Sequence, residues 1–472
     1  MERNLRIEAR EPTITEITGE TVLPCVQEIF IDEHCGEYLV LNPLGPWWFV
    51  GSKLHADFAR LCDGKRSVND IRESLSLTHD GLTNEFIILI AKSLLKANFF
   101  TKTIKREIRP LNVVFFKITR HCNLNCPYCY YDYVPTTYTT YARNESNVEL
   151  DSELDSTMWI KLAHEIAEIN PNAKIIVSGG EPLIRPDAID IIEGIAQSNL
   201  EVKLITNGLL LTVDMIAALS HIAKLSVQIG IDSIRPEVND KSRGKGSLEK
   251  ALTAVHRMKD AGMKVEISAT ITQLNHKWIQ QLREFCHRHH IKFHSSIFMT
   301  SNEKSKHNAP WLELNPKEYL DASLYALEYN DSNMIMGYPM IPGKRRCSCG
   351  LGYSQIDIRP DGALYPCNHI SDPKFCLGNI QTTSFHQLIT EGYNRYSSSE
   401  VDNMPHCFEI KCPVRYFCAG GCRANTLHNY GTMDVPAKNC NELKQTYING
   451  LWASVLGFSF LKEKRREWEQ EK

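Results

Sequence analysis

Between residues 113 and 297 the chain alternates six times between a short apolar run and a longer stretch with apolar residues at helical spacing. The runs are Val113–Ile118, Lys174–Ser178, Val202–Thr206, Lys224–Ile231, Lys264–Thr270 and Lys292–Ile297. Strands that are apolar along their whole length are covered on both faces, which parallel sheets require. Between the first two runs, Trp159, Leu162, Ala163 and Ile166 recur on one face of a helix spanning about Ser156–Ile169. Such a pattern predicts an α/β fold, a parallel sheet flanked by helices. Six strand–helix units suit a partial (β/α)6 TIM barrel, in which chemistry gathers at the C-terminal strand ends.

Two motifs fall at those ends. Cys122, Cys126 and Cys129 follow the first run with the spacing C-x3-C-x2-C, and Ser178-Gly179-Gly180-Glu181-Pro182 closes the second. Three thiolates can hold three irons of a [4Fe–4S] cluster, leaving the fourth iron open to a small molecule. A structural zinc knuckle is the alternative for the triplet alone. The chain has 16 cysteines in 472 residues. Met1–Glu20 mixes acids and bases and lacks the apolar core of a signal peptide. A cytoplasmic location and metal-binding rather than disulfide-bonded cysteines are therefore expected. Cys25, Cys35, Cys62 and Cys286 read as scattered buried thiols, and Cys376 could either replace a metal ligand or be free. The net charge of −3 offers no basic field for nucleic acid. Phe86–Ile90 and Leu451–Phe460 are too short or too interrupted to span a membrane.

The strand Val113-Val114-Phe115-Phe116-Lys117, the cysteine triplet with Tyr128 before its last member, and Gly179-Gly180-Glu181-Pro182 together resemble the radical S-adenosylmethionine (SAM) enzymes. That resemblance implies that the open iron binds the amine and carboxylate of SAM, whose reductive cleavage yields a 5′-deoxyadenosyl radical. It also implies SAM contacts. The backbone of Gly179 and Gly180 would meet the amino group, and Glu181 would shape that turn. Asn207, within Thr206-Asn207-Gly208, would reach the ribose, with Gln228 and Arg243 serving the ribose and carboxylate. An arginine fork suits a carboxylate because it offers two parallel hydrogen bonds. Where the family often has Ser-x-Asp, this chain reads Gly230-Ile231-Asp232-Ser233, so the serine contact is absent.

A second set of cysteines runs from Cys347 to Cys440 and resembles the SPASM extension, which holds two auxiliary iron–sulfur clusters. The likeness lies in Gly362-Ala363-Leu364-Tyr365-Pro366-Cys367 and Cys418-Ala419-Gly420-Gly421-Cys422. It implies Cys349, Cys367 and Cys422, with Cys347 as fourth ligand, for auxiliary cluster I. Cys407, Cys412, Cys418 and Cys440 would hold auxiliary cluster II, giving three [4Fe–4S] clusters in all. Glu409 stands where the family has a cysteine, and Cys407 is read as its replacement. Two four-thiolate zinc sites are the alternative.

Near the N-terminus, three short strands (Glu28–Ile31, Tyr38–Leu41, Trp47–Val50) precede three helical patterns (Lys53–Cys62, Val68–Leu75, Asn84–Ala97), with Ser67 as a helix cap. The order, and the stretches Tyr38–Pro43 and Asp63–Arg66, resemble a PqqD-like winged-helix peptide-recognition element. A structural cap or a nucleic-acid-binding winged helix is the other reading.

The expected domains are 1–105, a leader-recognition module; 106–305, the barrel; 306–345, a linker; 346–450, the auxiliary-cluster domain; and 451–472, a charged terminal helix. The long loop Tyr130–Leu150, rich in tyrosine, reads as a substrate-facing lid. The resemblances imply an oxidoreductase that modifies a ribosomally made precursor peptide bearing a leader, with a donor such as flavodoxin or ferredoxin. A thioether crosslink is the favoured product, with a carbon–carbon crosslink as the alternative. Sulfatase-type formylglycine maturation is disfavoured: Asn368 follows Cys367 where those enzymes carry an aspartate base, and an amide cannot accept that proton. A non-catalytic iron–sulfur or zinc protein would have no use for Gly179-Gly180-Glu181, and a tRNA-modifying enzyme would carry a basic face.

Overall fold

The computed structural model describes residues 17–100, 111–136, 153–328, 346–397 and 400–470, apart from positions 27, 46 and 98. Strands β1 (Phe30–His34), β2 (Glu37–Asn42) and β3 (Trp47–Gly51) form an antiparallel meander. Helices Lys53–Leu61, Val68–Ser76 and Asn84–Lys96 follow. Ser67 caps the second through a reciprocal box with Asp70, its hydroxyl accepting from the Asp70 amide at 3.2 Å and its own amide donating back at 2.8 Å. The first strand starts at Phe30 rather than Glu28, because Glu28 takes a left-handed turn (φ 58°) and pairs with Lys411. The helices and one sheet face enclose a core of their own, with Val40, Phe58, Ile71, Ile87 and Phe99. The other face, with Leu39 and Leu41, joins the main core.

The barrel strands are β4 (Val113–Thr119), β7 (Lys174–Gly179), β8 (Glu201–Thr206), β9 (Leu225–Gly230), β10 (Lys264–Ile271) and β11 (Lys292–Ile297), all parallel and adjacent in that order. A short pair, β5 (His121–Cys122) and β6 (Val134–Pro135), brackets the cysteine loop. All six sequence-predicted runs are strands. Trp159, Leu162, Ala163 and Ile166 are buried on one face of the helix Ser156–Ile169, which Asp155 caps through the Met158 amide.

Three expectations need correction. The cysteine-rich segment does not stand apart. Its strands β12 (Gln355–Ile358), β13 (Ala363–Tyr365) and β14 (Gly378–Asn379) extend the barrel sheet, β12 lying parallel to β4. An unpaired β4 edge would leave a row of backbone groups without partners, and β12 satisfies them. The stretch read as a linker from 306 carries helices Glu303–Leu312 and Pro316–Glu328. The terminal helix begins at Cys440, runs to Leu456, breaks at Gly457 (φ 87°) and resumes as Ser459–Gln470. It is not merely a solvated end: Phe460 and Leu461 are buried, and Arg465 pairs with Asp321 at 2.6 Å.

The Trp452 indole donates to Asp32 at 2.7 Å, and the His34 ring packs edge-on against Trp452 and Phe460, fixing the N-terminal sheet to the chain's last helices. Cys62 and Cys286 are buried as expected, but Cys35 is exposed, because it occupies the β1–β2 turn with φ 50°. The linker Thr101–Pro110, and Tyr138 and Tyr141 of the proposed lid, lie outside the described residues. No helix among the described residues is long and apolar enough to cross a membrane.

Candidate active site and cluster-binding cysteines

The cysteine loop hangs between the ends of β4 and β9. Burial pushes the Cys122 thiol up, and Glu181, Cys126 and Cys129 add to the rise, so the three thiols stand within electrostatic reach of one another. Cys126 is pushed up to about 11 by burial, with the Arg243 and Lys304 cations pulling the other way. Buried thiols of this kind bind metal as thiolates and release protons on doing so.

Gly179 and Gly180 lie against the lead-in to this loop. A Cβ on Gly179 would meet the Thr119 carbonyl oxygen at 2.4 Å, and one on Gly180 the His121 carbonyl at 2.1 Å. The Gly180 and Glu181 amides donate to those carbonyls at 2.9 and 2.7 Å. Gly179 also has φ +138°. The pair is therefore required by close backbone approach.

Glu181 is buried, and burial raises its carboxyl against the pull of three hydrogen bonds. It accepts from the Thr206 hydroxyl at 2.7 Å, the Asn207 amide at 2.7 Å and the Leu183 amide at 3.1 Å. Glu181 thus shapes the turn, as expected, and also stitches the end of β7 to the end of β8. The Asn207 side chain donates to Asn123 inside the cysteine loop at 2.7 Å.

Tyr128 and Arg243 converge on one residue that sequence reasoning missed. Asp232, two residues beyond β9, is 1% exposed. Its Oδ2 accepts from the Tyr128 hydroxyl at 2.5 Å, the Ser242 hydroxyl at 2.7 Å and Arg243 Nε at 2.9 Å. Its Oδ1 accepts from Arg243 Nη2 at 3.1 Å and the Thr270 amide at 3.0 Å. The Arg243 fork expected to grip a carboxylate therefore already grips one from the chain itself. Gln228 stands apart from this group and donates to the Ser268 hydroxyl at 3.0 Å.

The supposed linker supplies further supports. From around the helix Glu303–Leu312, Asn302 donates to the Cys129 carbonyl at 3.0 Å and Asn308 to the Pro127 carbonyl at 2.8 Å. Lys304 reaches Asn125 at 2.9 Å and the Tyr133 hydroxyl at 2.6 Å. No motif in the sequence announced these three; only the capping pattern of Asn302 and Ser305 hinted at a helix.

The barrel interior is polar. Lys203, Glu266 and His294 meet across β8, β10 and β11, with His294 2.8 Å from Glu266 and Lys292 at 3.1 Å. Toward the C-terminal ends the same face carries Gln228, Ser268, Thr270 and Ser296, which are half-buried or exposed. An ionic floor beneath an open polar mouth can admit a polar substrate.

The second cysteines form two neighbourhoods. Burial raises the Cys367 thiol, and Cys422 and Cys349 add to it. Burial raises Cys418 to about 12, with Cys412, Cys440 and Cys407 contributing. These last four line one cavity with Arg415. The backbone of Cys347 is held by Val401, whose amide donates to its carbonyl at 2.7 Å. Cys376 stays outside both groups, its thiol 3.4 Å from the Gly378 carbonyl. Arg415 is 2% exposed, yet its Nε and Nη1 find no acceptor. A buried guanidinium requires anions, and an anionic iron–sulfur cluster held by Cys407 and Cys412 would supply them. The residues thus fit the group.

The Cys367 neighbourhood touches the first loop. The Tyr130 ring, next to Cys129, packs on His369, two residues from Cys367, at 4.3 Å, and its hydroxyl accepts from Lys117 at 2.6 Å. Burial, with Lys117, His428 and Arg359, holds His369 down at about 3, so the ring is neutral.

Comparisons agree with this geometry. The radical SAM superfamily model matches residues 116–288, and the iron–sulfur cluster-binding SPASM domain model matches 347–413. The chain is 25% identical over 336 residues to the antilisterial bacteriocin subtilosin biosynthesis protein AlbA of Bacillus subtilis, covering 68% of each chain. It is 26% identical over 342 residues to the mycofactocin maturase MftC of Mycolicibacterium smegmatis, covering 69% of this chain and 82% of that one. In fold it is similar to anSMEcpe with bound AdoMet, at TM-score 0.57 and 20% identity, over 76% of this chain and 100% of the other. Streptococcus suis SuiB bound to the precursor peptide SuiA matches at TM-score 0.54 and 15% identity, over 88% of this chain and 99% of the other. The fold, the cysteine loop and the family match together make this chain an enzyme of the radical SAM family with a SPASM domain.

Proposed function

We propose that the chain modifies a ribosomally made precursor peptide by hydrogen abstraction and closes an intrapeptide thioether crosslink. The observation that carries this reading is the polar, partly exposed face at the C-terminal ends of the barrel strands, where the cysteine loop also lies, with the Cys367 neighbourhood joined to that loop through Tyr130 and His369. The similarity to maturases and to a structure bound to a precursor peptide supports the substrate class.

When bound, SAM and the clusters supply a 5′-deoxyadenosyl radical and an outlet for one electron. Cys122, Cys126 and Cys129 would hold the SAM cluster. Cys347, Cys349, Cys367 and Cys422 would hold auxiliary cluster I, and Cys407, Cys412, Cys418 and Cys440 auxiliary cluster II. Glu181 fixes the turn that would face the SAM amino group. Asn207 and Gln228 are offered to the ribose, and the remaining Nη1 of Arg243 to the carboxylate. The neutral His369, the Tyr130 ring packed on it and the Lys117 that donates to Tyr130 stand between the first loop and the Cys367 neighbourhood. The leader would add a strand to a free edge of the N-terminal sheet, β1 or β3, where backbone hydrogen bonds supply affinity. A flavodoxin or ferredoxin would deliver electrons in the cytoplasm. Asn368 in place of an aspartate base weighs against formylglycine formation.

The test is the intact mass of the precursor peptide encoded beside this gene after anaerobic co-expression. Loss of two hydrogens per modification, abolished by Cys126→Ala, is expected. Fragmentation then separates a sulfur bridge from a carbon–carbon one. An unchanged mass with SAM still cleaved overturns the peptide assignment.

A further inference from the structure

We infer that Asp232 and Gly230 act together as a latch that holds the cysteine loop against the end of β9, with Tyr128 as the tie. Three observations carry this. First, Tyr128 lies between Cys126 and Cys129, and its hydroxyl is bound to Asp232 at 2.5 Å. The position of the ring, and of the loop on which two cysteines sit, is thereby set by a carboxylate on another element. Second, that carboxylate is itself immobilised. It accepts five hydrogen bonds, from Tyr128, Ser242, the Thr270 amide and two from Arg243. Its own amide donates to Asn239 at 2.9 Å and its carbonyl accepts from Asn275 at 3.0 Å. Third, the Arg243 guanidinium lies across the last residue of β9 in space that only glycine leaves open. A Cβ on Gly230 would stand 2.1 Å from Nη1, 2.6 Å from Cζ and 2.7 Å from Nη2.

Arg243 cannot yield cheaply to such a Cβ. Its side chain is 12% exposed and bound at two points to a carboxylate that is 1% exposed. Bidentate arginine–carboxylate pairs are geometrically strict, so displacement of the guanidinium unpairs Asp232. Asp232 would then be a buried anion with its main counter-charge removed. The strain would pass along its hydrogen bond from the Tyr128 hydroxyl to the cysteine loop. Gly230 is therefore a requirement of the latch, and Asp232 is a positioning residue that acts on the cluster through Tyr128.

The test uses anaerobically reconstituted full-length protein with all its clusters and reads iron content, the electron paramagnetic resonance spectrum of the reduced protein with and without SAM, and SAM affinity by equilibrium dialysis without reductant. Cys126→Ala supplies the spectrum of the auxiliary clusters alone. Gly230→Ala and Asp232→Asn are expected to lose about four irons per chain, to approach that auxiliary-only spectrum, and to lose the SAM-induced spectral change. Tyr128→Phe introduces no clash and removes one oxygen. Because it cuts the tie, it is expected to lose part of the iron of the first site and to bind SAM at least about tenfold more weakly, with an altered SAM-induced signal, and Asp232→Glu to recover part of the loss seen with Asp232→Asn. Wild-type iron, spectrum and SAM affinity in Gly230→Ala would overturn the latch. If Gly230→Ala fails to fold, Tyr128→Phe decides alone, and a wild-type SAM response there overturns it equally. The result does not depend on which peptide, if any, is modified.

Discussion

The two cysteine regions of this molecule are built in opposite ways. The first loop is suspended from elements that belong to a large apolar core. Glu181, through its amide on the His121 carbonyl, Asp232, Asn302 and Asn308 reach it from the end of β7, from beyond β9 and from around the helix Glu303–Leu312. The second region joins the same core through β12 and residues such as Ile356, Leu388 and Phe417, but around Cys407 it has short elements, a small local cluster of Val401, Met404, Cys407 and Tyr416, and a buried Arg415 with two donors lacking acceptors. One site is arranged by the fold around it. The other would be completed by the clusters its cysteines fit, as in small metal-dependent domains.

The largest effect that separates them is the response to metal removal. In iron-free protein, amide hydrogen exchange over about 400–440 should rise by orders of magnitude while β4, β7–β11 and the β12 strand paired with β4 stay protected. Equal loss of protection in both regions would erase the contrast. Next comes Cys126→Ala, which should abolish SAM cleavage and leave the auxiliary iron in place, measured as released 5′-deoxyadenosine and bound iron.

Glu266 probes the barrel alone. Burial would raise its carboxyl, but the hydrogen bonds and charges of His294 and Lys203 outweigh this and hold it well below the usual range. A depressed carboxyl contributes stability that is present above the unfolded value of about 4.3 and is lost as pH falls through the folded value. Glu266→Gln should cost about 3–5 kcal/mol in barrel stability at neutral pH, read from denaturant unfolding, with most of that difference disappearing in acid. Iron content after reconstitution should not change. The smallest effect belongs to Asn308→Ala, which removes one hydrogen bond to the Pro127 carbonyl. It should cost about 1 kcal/mol and raise the rate of iron loss to a chelator from the first site only.

What the sequence disclosed follows the same division. The barrel strands were legible because burial on both faces writes itself as unbroken apolar runs, and all six lie where those runs predict. The cysteines and Gly179-Gly180-Glu181 were legible because their chemistry and close backbone approach admit few other residues. Asp232 was not, since a lone aspartate after a strand is ordinary until the chain brings Tyr128 and Arg243 from 104 and 11 residues away. The helix Glu303–Leu312 was hidden by its polar composition and internal Pro310. The pairing of β12 with β4 joins Gln355 to Val113, a separation that local pattern cannot encode. The same holds for the Asp32–Trp452 contact, which spans 420 residues.

The account rests most directly on the cysteine loop being a SAM-cleaving centre. The decisive measurement is 5′-deoxyadenosine formation by anaerobically reconstituted, reduced protein. The account predicts steady release from the wild-type chain and none from Cys126→Ala. No release from a wild-type chain carrying its full complement of iron would contradict it.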